Sequence, residues 1–530
     1  MNMTYQILVT DPLNTDGLKP LLEDDRFELT IETNLTKETL MERIQHFDAL
    51  LVRSQTEVTK ELIEKGHHLK IIGRAGVGID NIDINTATEH GIMVVNAPGG
   101  NTNSAAEHTI AMMLSLARHI PQAHFSLQQK EWKRSKFLGV EVKNKTLGII
   151  GFGNVGAEVA YRAKGQRMNV IVSDPFLTEE RAEKYGVNTG SIDEILASAD
   201  FLTVHTPLVP ATKHLLNRDA FKKAKQGMRI INCARGGIID EKALYDAIQD
   251  GIVSGAALDV FEEEPAIHNS LLNLDEVITT PHLGGSTVEA QRNVAVDISQ
   301  DIIRFLTKGL VEHPVNLPSV PNETMHKVKP FINLAEKLGV FISSIQNQSI
   351  EEIEIHFKGD LTEQEISPLT RSAVKGILQQ FFGEEANDVN ALYLASQKEI
   401  EIHEKRTQQK DNEVPLLTLQ VKSKQHTHTV SGTYYAGVGE RITNINEYQV
   451  NFIPKGHLLF IHHHDKPGAI GRMGSILGQH DINIATMQVD RKNAGGDAMM
   501  FLTIDKHPNK SALKELTALN EIQFVIPIDF

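Results

Sequence analysis

Cysteine is almost absent: Cys233 is the single one in 530 residues. An internal disulfide is excluded, and so is a cysteine-rich metal site. Positive charge is also short. The 53 Lys and Arg are outnumbered by 68 Asp and Glu, giving a formal net charge of −15. That balance argues against a general binder of nucleic acid or of acidic membranes. No apolar run approaches the ~18 residues of a transmembrane helix. The opening residues MNMTYQILVTDP lack both a basic stretch and a long apolar stretch, so no secretory signal is expected and a cytoplasmic placement is. The chain is too long for one hydrophobic core, and three or four domains are expected.

What is present is organised around residues 146–174, TLGIIGFGNVGAEVAYRAKGQRMNVIVSD. Residues 147–150 form a short apolar run that suits a strand buried on both faces. Gly151, Gly153 and Gly156 then give G-x-G-x-x-G at its end, and Val155, Val159, Ala160 and Ala163 recur at helical spacing. Gly151 permits a tight turn, Gly153 lets backbone approach a pyrophosphate, and Gly156 lets helix and strand pack closely. The helix start offers free N–H groups and positive dipole to phosphate. A second apolar run ends at Asp174, 18 residues past Gly156 (174 − 156). A carboxylate there accepts from a ribose diol and repels a 2′-phosphate, so NAD is favoured over NADP.

The residues before this stretch alternate strand-like and helix-like runs, which implies parallel strands joined by crossover helices. Ligands on such sheets sit beyond the carboxyl ends of the strands. Arg53 follows LLV directly, and Arg74 follows KIIG directly. They are read either as solvated surface arginines or as an anion site. Asn101, in a loop rich in Gly, Pro and Asn, presents an amide to a ligand or serves as a helix cap. The Ala- and Met-rich segment AAEHTIAMMLSLA has few charges and is expected to be buried. With residues 147–150 and 170–172, four later runs (201–204, 229–231, 256–258 and 277–279) make six strands, the number expected of a doubly wound dinucleotide domain.

Residues 313–325 hold three prolines without periodicity and read as a linker. A small α+β region with a largely antiparallel sheet follows, including an amphipathic stretch over 367–382. From about residue 455 the order is β-α-β-β-α-β, the ferredoxin-like pattern. His462, His463 and His464 alternate faces on a strand, so no metal is assigned to them. The turn at residues 465–468 and Asn483 lie at adjoining strand ends, where a small polar ligand can dock.

Oxidation of a hydroxy acid by a nicotinamide needs a cation for the carboxylate, a base for the hydroxyl proton and an acid partner to orient that base. Arg235 in NCARGG, His282 in PHLGG and Glu264 before Pro265 all fall beyond strand ends. Glu264 beside His282 would stabilise imidazolium as it forms. Cys233 reads as a small buried residue, not a nucleophile, because no base adjoins it.

RAGVGIDNID, GIIGFGNVG, NCARGGIIDE, GAALDVFEEEP and TPHLGGST, in this order, closely resemble the D-2-hydroxyacid dehydrogenase family. The resemblance implies a catalytic Arg235, Glu264 and His282. It implies NAD contacts at Asn154, Val155, Asp174, Thr206, Cys233, Ala234, Asp259 and Gly284, and substrate contacts at Arg53, Arg74 and Asn101. The whole length is similar to the long form of the family, which adds an intervening domain and a C-terminal ACT domain. The implied reaction is oxidation of 3-phospho-D-glycerate to 3-phosphooxypyruvate, at the start of serine synthesis.

The implied layout is a flavodoxin-like substrate domain at 1–98 and 286–317 and a Rossmann-type nucleotide domain at 99–285. An α+β intervening domain follows at 318–452 and a ferredoxin-like ACT domain at 455–530. HHDKPG and DINIA look like serine-sensing turns, placing effector contacts on His463, Asp465 and Asn483. A homodimer or homotetramer is implied, with basic residues near 134 from a partner subunit joining the phosphate site. Other hydroxy acids, such as glyoxylate, hydroxypyruvate or 4-phosphoerythronate, are the alternative substrates. An NAD-sensing corepressor of the same fold is the alternative of another class.

Overall fold

The computed structural model describes residues 4–407, 414–491, 493 and 495–530. Among them four sheets organise the chain. The first holds Tyr5–Val9 (β1), Phe27–Ile31 (β2), Ala49–Val52 (β3), Ile71–Arg74 (β4) and Met93–Asn96 (β5). All its pairings are parallel, in the order β2-β1-β3-β4-β5. That is the flavodoxin-like order. Parallel strands are covered on both faces, which is why ALLV of β3 is wholly apolar and wholly buried. The helix Val288–Lys308 returns to this sheet, and its Val294, Ile298 and Ile302 join the same core as Ile7, Leu51 and Val95.

The second sheet holds Thr146–Ile150 (β6), Asn169–Ser173 (β7), Asn188–Thr189 (β8), Phe201–Val204 (β9), Met228–Asn232 (β10), Val253–Leu258 (β11) and Val277–Thr279 (β12). It is parallel throughout, in the order β12-β11-β10-β9-β6-β7-β8. Six strands were expected and seven are present. The addition, β8, is an exposed edge pair of two residues, too short to show periodicity. The order reverses between β6 and β9, which sets a ligand crevice beyond their carboxyl ends. The helix Thr102–Arg118 is buried against this sheet through Ala106, Met113 and Ala117.

The chain passes between the two lobes near residues 97–101 and 284–287, and these crossings touch. Ser104 Oγ lies 2.7 Å from Thr287 Oγ1. A Cβ on Gly285 would lie 3.1 Å from the Asn101 amide nitrogen.

The third sheet is antiparallel except where Glu352–Lys358 pairs with Glu401–Thr407. The expected linker at 313–325 is shorter than read, because the helix Asn322–Ile345 begins inside it. Pro321 stands at the N-cap position, without a side-chain cap bond. The fourth sheet is antiparallel and carries Ala469–Gln479 and Lys510–Thr517 in the β-α-β-β-α-β order. Its other face shares a core with the third unit: Phe460 lies 5.8 Å from Phe341 and Phe501 5.1 Å from Phe452, centroid to centroid. Val389 of the third unit is buried in the core of the first lobe, and Asn387 Nδ2 donates to Gly91 O at 3.0 Å. No helix of the described residues is long and apolar enough to cross a membrane.

Candidate active site

The glycine turn after β6 makes a cradle. Gly151 has φ +94°, and a Cβ there would meet His205 O at 2.5 Å. A Cβ on Gly156 would meet Gly151 O at 2.2 Å, so helix and strand pack too closely for a side chain. Gly153 opens on free space. The helix Asn154–Gly165 starts at Gly153 without a side-chain cap, which leaves its first N–H groups for an anion. Asn154 and Val155 are its first two residues. Asp174, past β7, accepts from Phe152 N at 2.6 Å and from Phe176 N at 2.7 Å, which seats its carboxylate at the turn. Thr206 packs beside Gly151, and its hydroxyl is buried with no protein partner among the described residues. An orphaned hydroxyl beside an open cradle fits a bound dinucleotide. NAD would be held there by the helix start, Asp174 and Thr206.

Three neighbouring strands present the chemistry. Because β10, β11 and β12 are adjacent and parallel, residues just past their ends share one rim. Arg235 follows β10, Glu264 follows β11 and His282 follows β12. His282 Nδ1 lies 2.8 Å from Glu264 Oε2, and the other Glu264 oxygen accepts from Phe261 N at 3.1 Å. Burial raises the Glu264 carboxyl, but the hydrogen bond and charge of His282 outweigh it and hold Glu264 below the usual range. Asn232 shapes the Arg235 loop: its amide donates to Arg235 O at 2.9 Å and accepts from Ala234 N at 3.0 Å.

Arg235 reaches across to the first lobe. Its Nε lies 3.4 Å from Asp80 Oδ2, and a Cβ on Gly78 would stand 2.3 Å from its Nη2. Arg74, the last residue of β4, lies in the same cluster. Burial first, then the charges of Arg235 and Arg53, push its guanidinium down to about 10. Its Nε is buried and unpaired. Such a cluster is costly until an anion occupies it.

Two other assigned residues, Cys233 and Asp259, are buried. Cys233 is buried, and burial followed by the charge of Asp259 pushes its thiol up to about 12, so it is no nucleophile. Asp259 is fully buried and taken up within the protein: Thr280 Oγ1, Leu283 N and Gly284 N donate to it at 2.6, 2.7 and 2.8 Å. Asn101 stands at the N-cap position of the helix Thr102–Arg118, without a side-chain cap bond.

Residues not singled out from sequence also build the rim. Asp11 accepts from the backbone N–H of Arg53 at 2.5 Å and of Gln55 at 3.2 Å. Asn81 donates to Arg53 O and Thr56 O at 2.7 Å. The available signal for Asp11 was a carboxylate directly past a strand end in TDP.

In the fourth unit His463 and Asp465 line a cavity of about 530 Å³ together with Arg491 and the turn at 466–468. Asp465 pairs with Arg491, and His463 is buried with its Nε2 unpaired. Asn483 is exposed and does not line this cavity within one chain; its N–H donates to Asp505 Oδ1 at 3.0 Å.

Comparison with known proteins matches these units. The D-isomer specific 2-hydroxyacid dehydrogenase NAD binding domain matches residues 110–284. The D-3-phosphoglycerate dehydrogenase intervening domain matches 327–446, and the ACT domain 457–521. The D-3-phosphoglycerate dehydrogenase of Bacillus subtilis is 47% identical over 526 residues, covering 99% of each chain. That of Archaeoglobus fulgidus is 44% identical, covering 98% of each. Among solved structures, D-lactate dehydrogenase from Aquifex aeolicus complexed with NAD and lactic acid aligns with a TM-score of 0.53 and 28% identity, covering 58% of this chain and all of that one. Glycine cradle, acid–base pair and near-complete alignment converge: the chain belongs to the D-3-phosphoglycerate dehydrogenase family.

Proposed function

We propose that this chain oxidises 3-phospho-D-glycerate to 3-phosphooxypyruvate with NAD, the reaction that opens L-serine synthesis. NAD supplies the carbon that accepts the C2 hydride. Arg235 binds the substrate carboxylate bidentately and orients C2. His282 takes the C2 hydroxyl proton, and Glu264 holds the ring through Nδ1 and stabilises the imidazolium that results. Arg53 and Arg74, with Asn101 nearby, bind the remaining anionic charge. The observation that carries this reading is the cluster of Arg74 with Arg235 and Arg53, one buried guanidinium nitrogen unpaired, together with a Glu–His pair past the strands next to the one that Arg235 follows. A substrate with two anionic ends suits that cluster better than one with a single carboxylate.

The test is steady-state turnover on phosphoglycerate, glycerate, glycolate and 4-phosphoerythronate with NAD. Phosphoglycerate should have the highest kcat/KM, and His282→Ala should remove turnover while NADH still binds. Near-normal turnover by His282→Ala, or preference for an unphosphorylated acid, would refute the reading.

The ACT unit is read as an amino-acid sensor. His463 and Asp465 line its cavity, and Asn483 of a second copy would complete the contact set in a homo-oligomer. L-Serine should lower turnover in the native chain, and Asp465→Ala should remove that response.

A further inference from the structure

We infer that His108 is a positioning residue for the reaction, setting the loop that carries His282 through Asp259 and Thr280. The inference rests on the reading of His282 as the base. Ser104, His108 and Met112 recur every four residues along the helix Thr102–Arg118 and form one face, with Asn101 at its start. That face lies against the segment 280–287. Asn101 packs on Gly285, Ser104 Oγ meets Thr287 Oγ1 at 2.7 Å, and Met112 Sδ lies 3.9 Å from Thr280 Oγ1. His108 Nε2 is central: it lies 3.1 Å from Thr280 Oγ1 and 3.2 Å from Asp259 Oδ1.

The proton assignment follows from these partners. The single Thr280 hydroxyl hydrogen goes to Asp259 at 2.6 Å. Both atoms facing His108 Nε2 are then acceptors, so Nε2 carries a hydrogen and donates. Asp259, gripped from this side, holds Leu283 N and Gly284 N just after His282. His282 itself donates its backbone N–H to Asp259 O at 2.9 Å and has φ +56°. A bulky residue keeps that left-handed backbone only where its surroundings over-determine it. His108 supplies one of those restraints from another element, at the helix that starts where the chain crosses between lobes.

The experiment compares His108→Ala, His108→Gln and His108→Asn in the full-length chain, with His282→Ala as reference. His108→Ala should lower kcat about tenfold, with KM for phosphoglycerate and NADH affinity within about twofold. Glutamine carries an N–H that reaches Asp259 and should recover most of the loss, whereas the shorter asparagine should behave like alanine. Melting temperatures establish that each variant is folded, and the glutamine–asparagine contrast stands even if alanine fails to fold. Wild-type kcat in His108→Ala, equal losses in the glutamine and asparagine variants, or a loss confined to KM would overturn the inference. If His282→Ala stays active, the reading of the base fails instead; if it is dead while His108→Ala is fully active, only the positioning role fails.

Discussion

His282 Nδ1 and Glu264 Oε2 meet at 2.8 Å although 18 residues separate them in the chain. Adjacent parallel strands bring them together, since β11 and β12 end side by side. The contact fixes which ring nitrogen is engaged and leaves Nε2 for proton transfer.

Glu264→Gln should lower kcat about 10²-fold with little change in KM, because the amide no longer stabilises imidazolium. The pH dependence has a definite sign. The folded carboxyl titrates below its ordinary ~4.3, so the contribution of the ionised carboxylate to this pair is complete above that value. It is lost as pH falls through the lowered folded value. The melting-temperature gap between native chain and Glu264→Gln should therefore narrow as pH falls below about 5.

Arg74→Met should raise KM for phosphoglycerate by 10- to 100-fold, roughly the loss of one charge-assisted contact. Without substrate the same variant should melt no lower than the native chain, since it removes a buried cation pressed by Arg235 and Arg53. Steady-state kinetics and thermal melts check both.

Asp174→Ala should weaken NAD and admit NADP. The carboxylate that accepts Phe152 N at the glycine turn is the charge that would oppose a 2′-phosphate. The ratio of kcat/KM for the two cofactors should fall at least about tenfold; an unchanged ratio would place cofactor selection elsewhere.

Cys233 should resist iodoacetamide at pH 8 in the native chain and react once the chain is unfolded in urea. A thiol pushed up to about 12 holds almost no thiolate at that pH. Mass spectrometry of the alkylated protein reads the outcome.

Local pattern revealed much of this molecule. Glycine spacing with a strand before and a helix after marked the cradle, because a tight turn and a close helix–strand approach each demand glycine there. Apolar runs marked the parallel strands, because both faces are buried. The two-residue β8 escaped, having no period to detect. The helix starting at Asn322 was hidden by the prolines before it, one of which stands at its N-cap position. The partners of the Asp259 carboxylate, Thr280, Leu283 and Gly284, lie more than twenty residues on and were not legible locally.

By itself the amino-acid order determined the sheet-and-helix succession, the dinucleotide turn and the residue types of the acid–base set, since these depend on spacing over a few residues. Only the tertiary structure decided which of them meet. It placed Arg235 against Asp80 of the other lobe, buried Phe460 and Phe501 against Phe341 and Phe452, and left Asn483 outside the cavity that His463 and Asp465 line. Those outcomes depend on contacts between residues far apart in the chain, and local periodicity carries no record of such contacts.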